Sequence, residues 1–237
     1  MILNEPYVLS ATKKTTPEVT TFTFKAQSGK SIDFSSGMFA MLTHIDKQTG
    51  EKISRAFSMA NCPPSDSLQF FISLIGGKLT TKLAEANVGD VYYISAPYGQ
   101  FKFDINSGNK LLFLAGGTGL APFFSMLQYI ISKGAKPDIV LLYSVKYPND
   151  IIEKEDLERM VQELGGKLVV TVTRPKPEDK WDGETGHVNA DMIKKYVPDV
   201  TERVSYICGP PAFVKALKDG LTGLGVPEKE IKAEMWG

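Results

Sequence analysis

The chain has 237 residues, 43% of them hydrophobic, with 27 acidic and 27 basic side chains. That is enough for one large domain or two ordinary ones around a sizeable core, and the charge balance argues against nucleic acid or an anionic membrane surface as the main partner. Two cysteines, Cys62 and Cys208, are too few for a tetrahedral zinc site or an iron–sulfur cluster.

No stretch approaches the ~18 apolar residues of a membrane span. Met1–Pro6 shows no charged leader followed by an apolar run. Free thiols in a cytoplasmic setting are therefore expected.

Up to about residue 105 the chain reads as short strands separated by turn residues. Tyr7–Leu9, Val19–Phe24, Met38–Leu42, Leu68–Ile75 and Val91–Ile94 are β-branched or aromatic and too short for helices. Gly37, Gly50, Pro63–Pro64, Gly89–Asp90 and Pro97–Gly99 punctuate them. This pattern predicts a closed or nearly closed antiparallel barrel.

Within this half, Arg55-Ala56-Phe57-Ser58 ends a strand. Strand alternation puts Arg55 and Phe57 on one face and Ser58 on the other. The guanidinium is a bidentate donor for phosphate, and the aromatic ring is a flat surface for stacking. Gly76-Gly77-Lys78-Leu79-Thr80 follows as a glycine-rich turn ending in a hydroxyl and leading into a short helix. It suits a phosphate cradle or an ordinary helix cap.

From Asn109 the rhythm becomes strand, helix, strand, helix. Strands are predicted at Lys110–Ala115, Ile139–Val145, Leu168–Thr173, Val204–Cys208 and Ile231–Met235. Leu157, Met160, Val161 and Leu164 recur at helical spacing, as do Val214, Leu217, Leu221 and Leu224. Such alternation predicts a parallel sheet covered on both faces, with domains 1–105 and 106–237. Ligands of an open parallel sheet bind outside the carboxyl ends of its strands. Those ends carry Gly116-Gly117-Thr118-Gly119, Ser144 with Lys146, Thr173-Arg174 and Cys208-Gly209-Pro210. Lys110–Ala115 breaking into glycines and resuming as a helix brings bare backbone N–H groups to an anion.

Other candidates have plainer readings. His44 ends an apolar strand and His187 sits in a loop, neither at triad or metal spacing. Trp181 and Cys62 read as packing residues. Glu153-Lys154-Glu155-Asp156 reads as a solvated helix start, with acids at the positive end.

Taken in order, Arg55–Ser58, Gly77–Thr80, Tyr98–Phe101, Gly116–Pro122, Cys208–Pro211 and Glu234-Met235-Trp236 resemble the ferredoxin–NADP reductase superfamily over nearly the whole chain. The resemblance implies an N-terminal antiparallel Greek-key β-barrel for flavin and a C-terminal parallel-sheet α/β domain for nicotinamide dinucleotide. It further implies an NAD(P)H-dependent flavoprotein reductase that passes hydride to FAD and electrons on to an external acceptor. That acceptor would be a ferredoxin- or flavodoxin-type carrier or a partner subunit. A reductase of diffusible flavin, an electron-transfer subunit of a larger complex and a non-catalytic nucleotide-binding regulator are the rival readings.

By this resemblance Arg55 pairs with the flavin diphosphate, Phe57 packs on the isoalloxazine and Ser58 bonds near its reactive nitrogen. Ser73, Leu74 and Ile75 line the flavin, while Gly77, Lys78, Leu79 and Thr80 hold its diphosphate, which favours FAD over FMN. Gly117, Thr118, Gly119, Gly209 and Pro210 hold the dinucleotide, with Ser144 and Lys146 nearby. Cys208 lies beside the nicotinamide, Glu234 organises the site and relays protons, and Trp236 covers the flavin face. The family usually has tyrosine at Phe57 and tyrosine or phenylalanine at Trp236, so one hydroxyl contact is missing and a larger ring must swing aside. Thr173 and Arg174 favour NADPH over NADH, although Arg174 equally suits a solvent or pyrophosphate contact.

Overall fold

The computed structural model describes residues 1–46 and 48–235, so the expectation for Trp236 lies outside the described residues. The first half forms β1 (Ile2–Lys14), β2 (Val19–Ala26), β3 (Phe39–Ile45), β4 (Lys52–Ser58), β5 (Ser67–Ser73) and β6 (Val91–Tyr98). Alternation along these strands sends Tyr7, Leu9, Phe22, Phe24, Leu42, Phe70 and Ile94 into one core. The six strands lie in the order β4-β3-β6-β1-β2-β5, and every ladder is antiparallel. The sheet curls until its ends meet just beyond β4, where Ala60 N–H donates to Gln69 O at 2.8 Å. A short helix, α1 (Lys78–Ala84), plugs one end through Leu79 and Leu83.

The second half alternates as its apolar periodicity predicts. It comprises β7 (Lys110–Gly116), α2 (Ala121–Ser132), β8 (Asp138–Val145), α3 (Lys154–Glu163), β9 (Lys167–Val172), β10 (Glu184–Thr185), α4 (Ala190–Tyr196), β11 (Val204–Gly209), α5 (Pro211–Gly223) and β12 (Ile231–Met235). These strands make one parallel sheet in the order β10-β9-β8-β7-β11-β12. β10 and α4 were not predicted. The first has two residues, and the second is seven residues, about two turns, started by the Asn189 side chain accepting from Met192 N–H at 2.9 Å.

One apolar cluster runs through both halves. Val19, Ala60, Phe71, Phe101 and Phe103 of the barrel side pack with α2, β7 and β11. Phe71 meets Phe124 edge-on at 5.2 Å and Phe101 meets Tyr206 at 5.6 Å, pairs worth about 0.5–1.5 kcal/mol each beyond their buried area. The buried Ser125 hydroxyl donates to Asn61 O at 2.8 Å, and Gln128 donates to Ala60 O at 3.0 Å. These bonds fix the orientation of α2 against the barrel. No helix among the described residues is long and apolar enough to cross a membrane.

Candidate functional site

The chain leaves β7, builds β8 and β9 to one side, then returns to build β11 and β12 on the other. β7 and β11 therefore flank a switch point, where the loops diverge and leave a crevice. A cavity of about 560 Å³ opens there, facing the barrel. The α/β half lines it with Gly116, Gly117 and Thr118, with Ser144 to Lys146, with Thr173 and Arg174, and with Pro210. The barrel contributes Thr16, Glu18 and Val19 from the β1–β2 turn, and Ser73 and Ile75 from beyond β5. Ile75 is 68% exposed, a large apolar side chain offered to the open crevice.

The glycine turn works by close approach. A Cβ on Gly119 would stand 2.4 Å from Cys208 O, so only glycine lets the turn pack on the end of β11. Gly117 takes φ +55, a left-handed conformation that costs glycine little. Its carbonyl accepts from the buried Tyr143 hydroxyl at 3.2 Å, and the same hydroxyl accepts from Ile152 N–H at 3.4 Å. Tyr143 thus ties the turn to the loop after β8. A tyrosine inside the otherwise aliphatic run of β8 is the one sequence signal for that role.

Of the sequence-predicted residues, Ser73, Ile75, Gly117, Thr118, Ser144, Lys146, Thr173, Arg174 and Pro210 meet at this cavity. A second group gathers on the barrel's open edge, on β4 and α1. Arg55 is exposed, and its guanidinium donates to Ser54 O at 2.8 Å. Phe57 is half-buried with its ring 6.3 Å from Phe70, and Ser58 stands opposite Phe39 in the β3–β4 ladder. Gly77, Lys78 and Thr80 begin α1, whose N-terminus has no side-chain cap and no acidic residue in its first turn. Lys78 pairs with Glu51 at 3.0 Å, whereas Leu79 is buried in the barrel core and presents only its backbone. Leu74 donates its N–H to Glu18 O at 2.9 Å, which joins the end of β5 to the β1–β2 turn.

Cys208 and Glu234 are register partners on adjacent parallel strands. The Cys208 thiol is fully buried, and burial pushes its pKa up, with the Glu234 charge adding to the effect. Glu234 is half-buried, and its carboxyl is likewise raised by burial. Gly119 and Gly209 pack around the same strand end.

Sequence reasoning missed part of the lining. His187, read as a plain loop residue, stands at the cavity, as do Asp150, Ile152 and Phe213. Phe213 lies against the bare Cα positions of Gly116 and Gly209, where a Cβ would strike its ring at 3.2 and 2.7 Å. Burial raises the Asp150 carboxyl, while the Tyr147 N–H at 3.1 Å works against that shift. Lys146 is shared with Glu18 across the cavity at 3.8 Å. Glu153 is a further correction: it is not solvated but buried against the barrel.

A curled barrel and a parallel sheet meeting at one crevice, with a glycine turn at the switch point, define a two-domain nucleotide-binding protein. Residues 6–103 match the oxidoreductase FAD-binding domain, and residues 113–219 the oxidoreductase NAD-binding domain. The two matches together span most of the chain, which belongs to the oxidoreductases built from an FAD-binding and an NAD-binding domain. It is 30% identical over 226 residues to the glycine betaine monooxygenase reductase subunit of Pseudomonas aeruginosa, covering 93% of this chain and 61% of that one. It is 29% identical to NADH-cytochrome b5 reductase 1 of Candida glabrata, covering 81% and 70%. The FAD/NAD-binding domain of Vibrio cholerae nitric oxide dioxygenase has the same fold, with TM-score 0.89, 17% identity and full coverage of both chains. The chain thus spans about three fifths of the length of the monooxygenase reductase subunit it matches.

Proposed function

We propose that this chain oxidises NADH or NADPH with FAD as its resident cofactor and passes the electrons to an external acceptor, a protein carrier or a partner subunit. The observation that carries this reading is the cavity shared by the two domains, walled by the β7 glycine turn on one side and the end of β5 on the other. FAD, when bound, supplies the chemistry that no side chain here can, taking a hydride and releasing electrons singly.

The barrel edge fits that cofactor. Gly76 and Gly77 have φ +110 and +120, and nothing stands within 4 Å of a Cβ on Gly76, so bare backbone is open beside the uncapped start of α1. Arg55 supplies a charge for the diphosphate, Phe57 an aromatic surface and Ser58 a hydroxyl. Ser73, Leu74 and Ile75 line the ring, and Lys78 and Thr80 flank the diphosphate with the Leu79 backbone. Gly117, Thr118 and Gly119 hold the nicotinamide dinucleotide with Gly209 and Pro210, and Ser144 and Lys146 border it. Cys208 lies beside the nicotinamide, and Glu234 holds or moves a proton next to it. Domains 1–105 and 106–237 then divide the two cofactors between them.

Arg174, exposed and without an acidic partner among the described residues, supports NADPH over NADH together with Thr173. Two free cysteines support a cytoplasmic setting.

Anaerobic stopped-flow reduction of the purified flavoprotein with NADH and NADPH in parallel tests the reading. Cys208→Ala and Glu234→Ala are expected to slow reduction while FAD stays bound, whereas Arg55→Ala releases FAD. Unchanged reduction in both of the first two variants refutes the assigned roles. Flavin that separates from the wild-type protein on gel filtration instead supports a reductase of diffusible flavin.

A further inference from the structure

Glu153 has a backbone conformation that L residues avoid, φ 45 and ψ 46, and a charged side chain that is almost wholly buried. Neither is stable in isolation, so tertiary contacts must hold both. Lys13 Nζ donates to its Oε2 at 2.5 Å, and the Thr21 hydroxyl donates to its Oε1 at 3.0 Å. Thr15 completes the network at 2.7 Å from the Thr21 hydroxyl. All three partners belong to β1, β2 or the start of the turn between them. The carboxylate comes from the other domain, at the start of α3.

This contact adjoins the dinucleotide cavity on both sides. Upstream of Glu153, Lys146, Asp150 and Ile152 line one wall; beyond Thr15, Thr16, Glu18 and Val19 line the facing wall. The turn is stiff, because Thr15 and Thr16 N–H both reach Val19 O and Val19 N–H reaches the Thr16 hydroxyl at 3.0 Å. Glu18 O then accepts from Leu74 N–H, between the cavity residues Ser73 and Ile75. A continuous hydrogen-bonded path therefore runs from the start of α3 to the strand end that faces the glycine turn.

We propose that Glu153 is a positioning residue: its carboxylate straps the β1–β2 turn to the β8–α3 loop and so sets the width of the cavity for the nicotinamide dinucleotide. This rests on the reading of that cavity given above. Lys13 is the cationic half of the strap and Thr21 its neutral anchor. Release of the carboxylate widens the cavity and weakens dinucleotide binding, while the glycine turn, Cys208 and Glu234 keep their own contacts.

The test uses the purified flavoprotein and Glu153→Gln, Lys13→Met, Lys13→Arg, Thr21→Val and the Glu153→Gln/Lys13→Met double variant. Calorimetry with NAD⁺ and NADP⁺ and stopped-flow reduction give the dissociation constant and limiting rate, and hydrogen exchange reports the Val19 and Leu74 amides without ligand. Glu153→Gln and Lys13→Met are expected to raise the dissociation constant about fivefold to tenfold, with a limiting rate within about twofold of wild type. Lys13→Arg restores wild-type binding, the double variant is no worse than the weaker single one, and Thr21→Val lies between. Val19 and Leu74 exchange faster in the weakened variants. Wild-type binding and exchange in Glu153→Gln, or a loss confined to thermal stability, overturns the strap. If exchange responds but the wild-type protein binds neither dinucleotide, the reading of the cavity fails while the contact between domains stands.

Discussion

Gly119→Ala adds a single methyl at the point where the glycine turn rests on β11. The new Cβ would lie 2.4 Å from Cys208 O, 2.7 Å from Cys208 C and 2.9 Å from Gly209 Cα. These are backbone atoms of a strand bonded to β7 on one side and β12 on the other, so none can step aside alone. Ordinary contact begins near 3.4 Å, so turn and strand must separate by roughly 1 Å, an overpacking that costs about 1–3 kcal/mol. For a chain of this size that lowers the melting temperature by about 2–12 °C. A displacement of that size at the dinucleotide also slows hydride transfer by up to about 100-fold.

Gly220→Ala is the control. It lies within α5, has nothing within 4 Å of a new Cβ and needs no positive φ, so it should stabilise by about 0.5–1 kcal/mol. Thermal melts of both variants, with stopped-flow flavin reduction, make the comparison. A Gly119→Ala protein that melts with wild type and is reduced at the wild-type rate would show that close approach is not the reason for glycine here.

Two further outcomes follow from burial and charge. The hydrogen bond from Arg203, and then that from Lys110, hold the Asp199 carboxyl at about 2 instead of 3.8. The unfolded chain takes up that proton first, so the stabilisation is complete above about pH 4 and is lost as the pH falls towards about 2. Asp199→Asn should flatten the dependence of the urea midpoint on pH in that window, and an unchanged slope would count against the pairing. Cys208 is buried with its thiol raised, whereas Cys62 is partly exposed. Iodoacetamide should therefore modify only Cys62 in the native protein, and both after denaturation. Modification of native Cys208, read by peptide mass spectrometry, would contradict its burial.

Both domains were legible in the sequence because their signals are local. Alternation in Val19–Phe24 or Leu68–Ile75, and helical spacing in Leu157–Leu164, record which side of each element faces a core. The glycine turn was legible for a similar reason, since a strand that breaks into glycines and resumes as a helix serves few purposes. α4 and β10 lacked enough length to show a period. His187 read as a plain loop residue, and Asp150 and Phe213 carried no signal, because a side chain lining a crevice formed by distant segments leaves no trace in its own neighbourhood.

Glu153 marks the boundary between the two kinds of information. In the sequence it opens an acidic run at a helix start, where solvent and the helix dipole satisfy it. In the folded chain Lys13 and Thr21 reach it from more than a hundred residues away, and they turn a solvated carboxylate into a buried contact between domains. Sequence periodicity and the order of the motifs were enough to determine the barrel, the parallel sheet and the two-cofactor family. Only the tertiary structure decided which side chains share a cavity and what holds its two walls together, because those contacts depend on the path of the chain between domains and not on any local pattern.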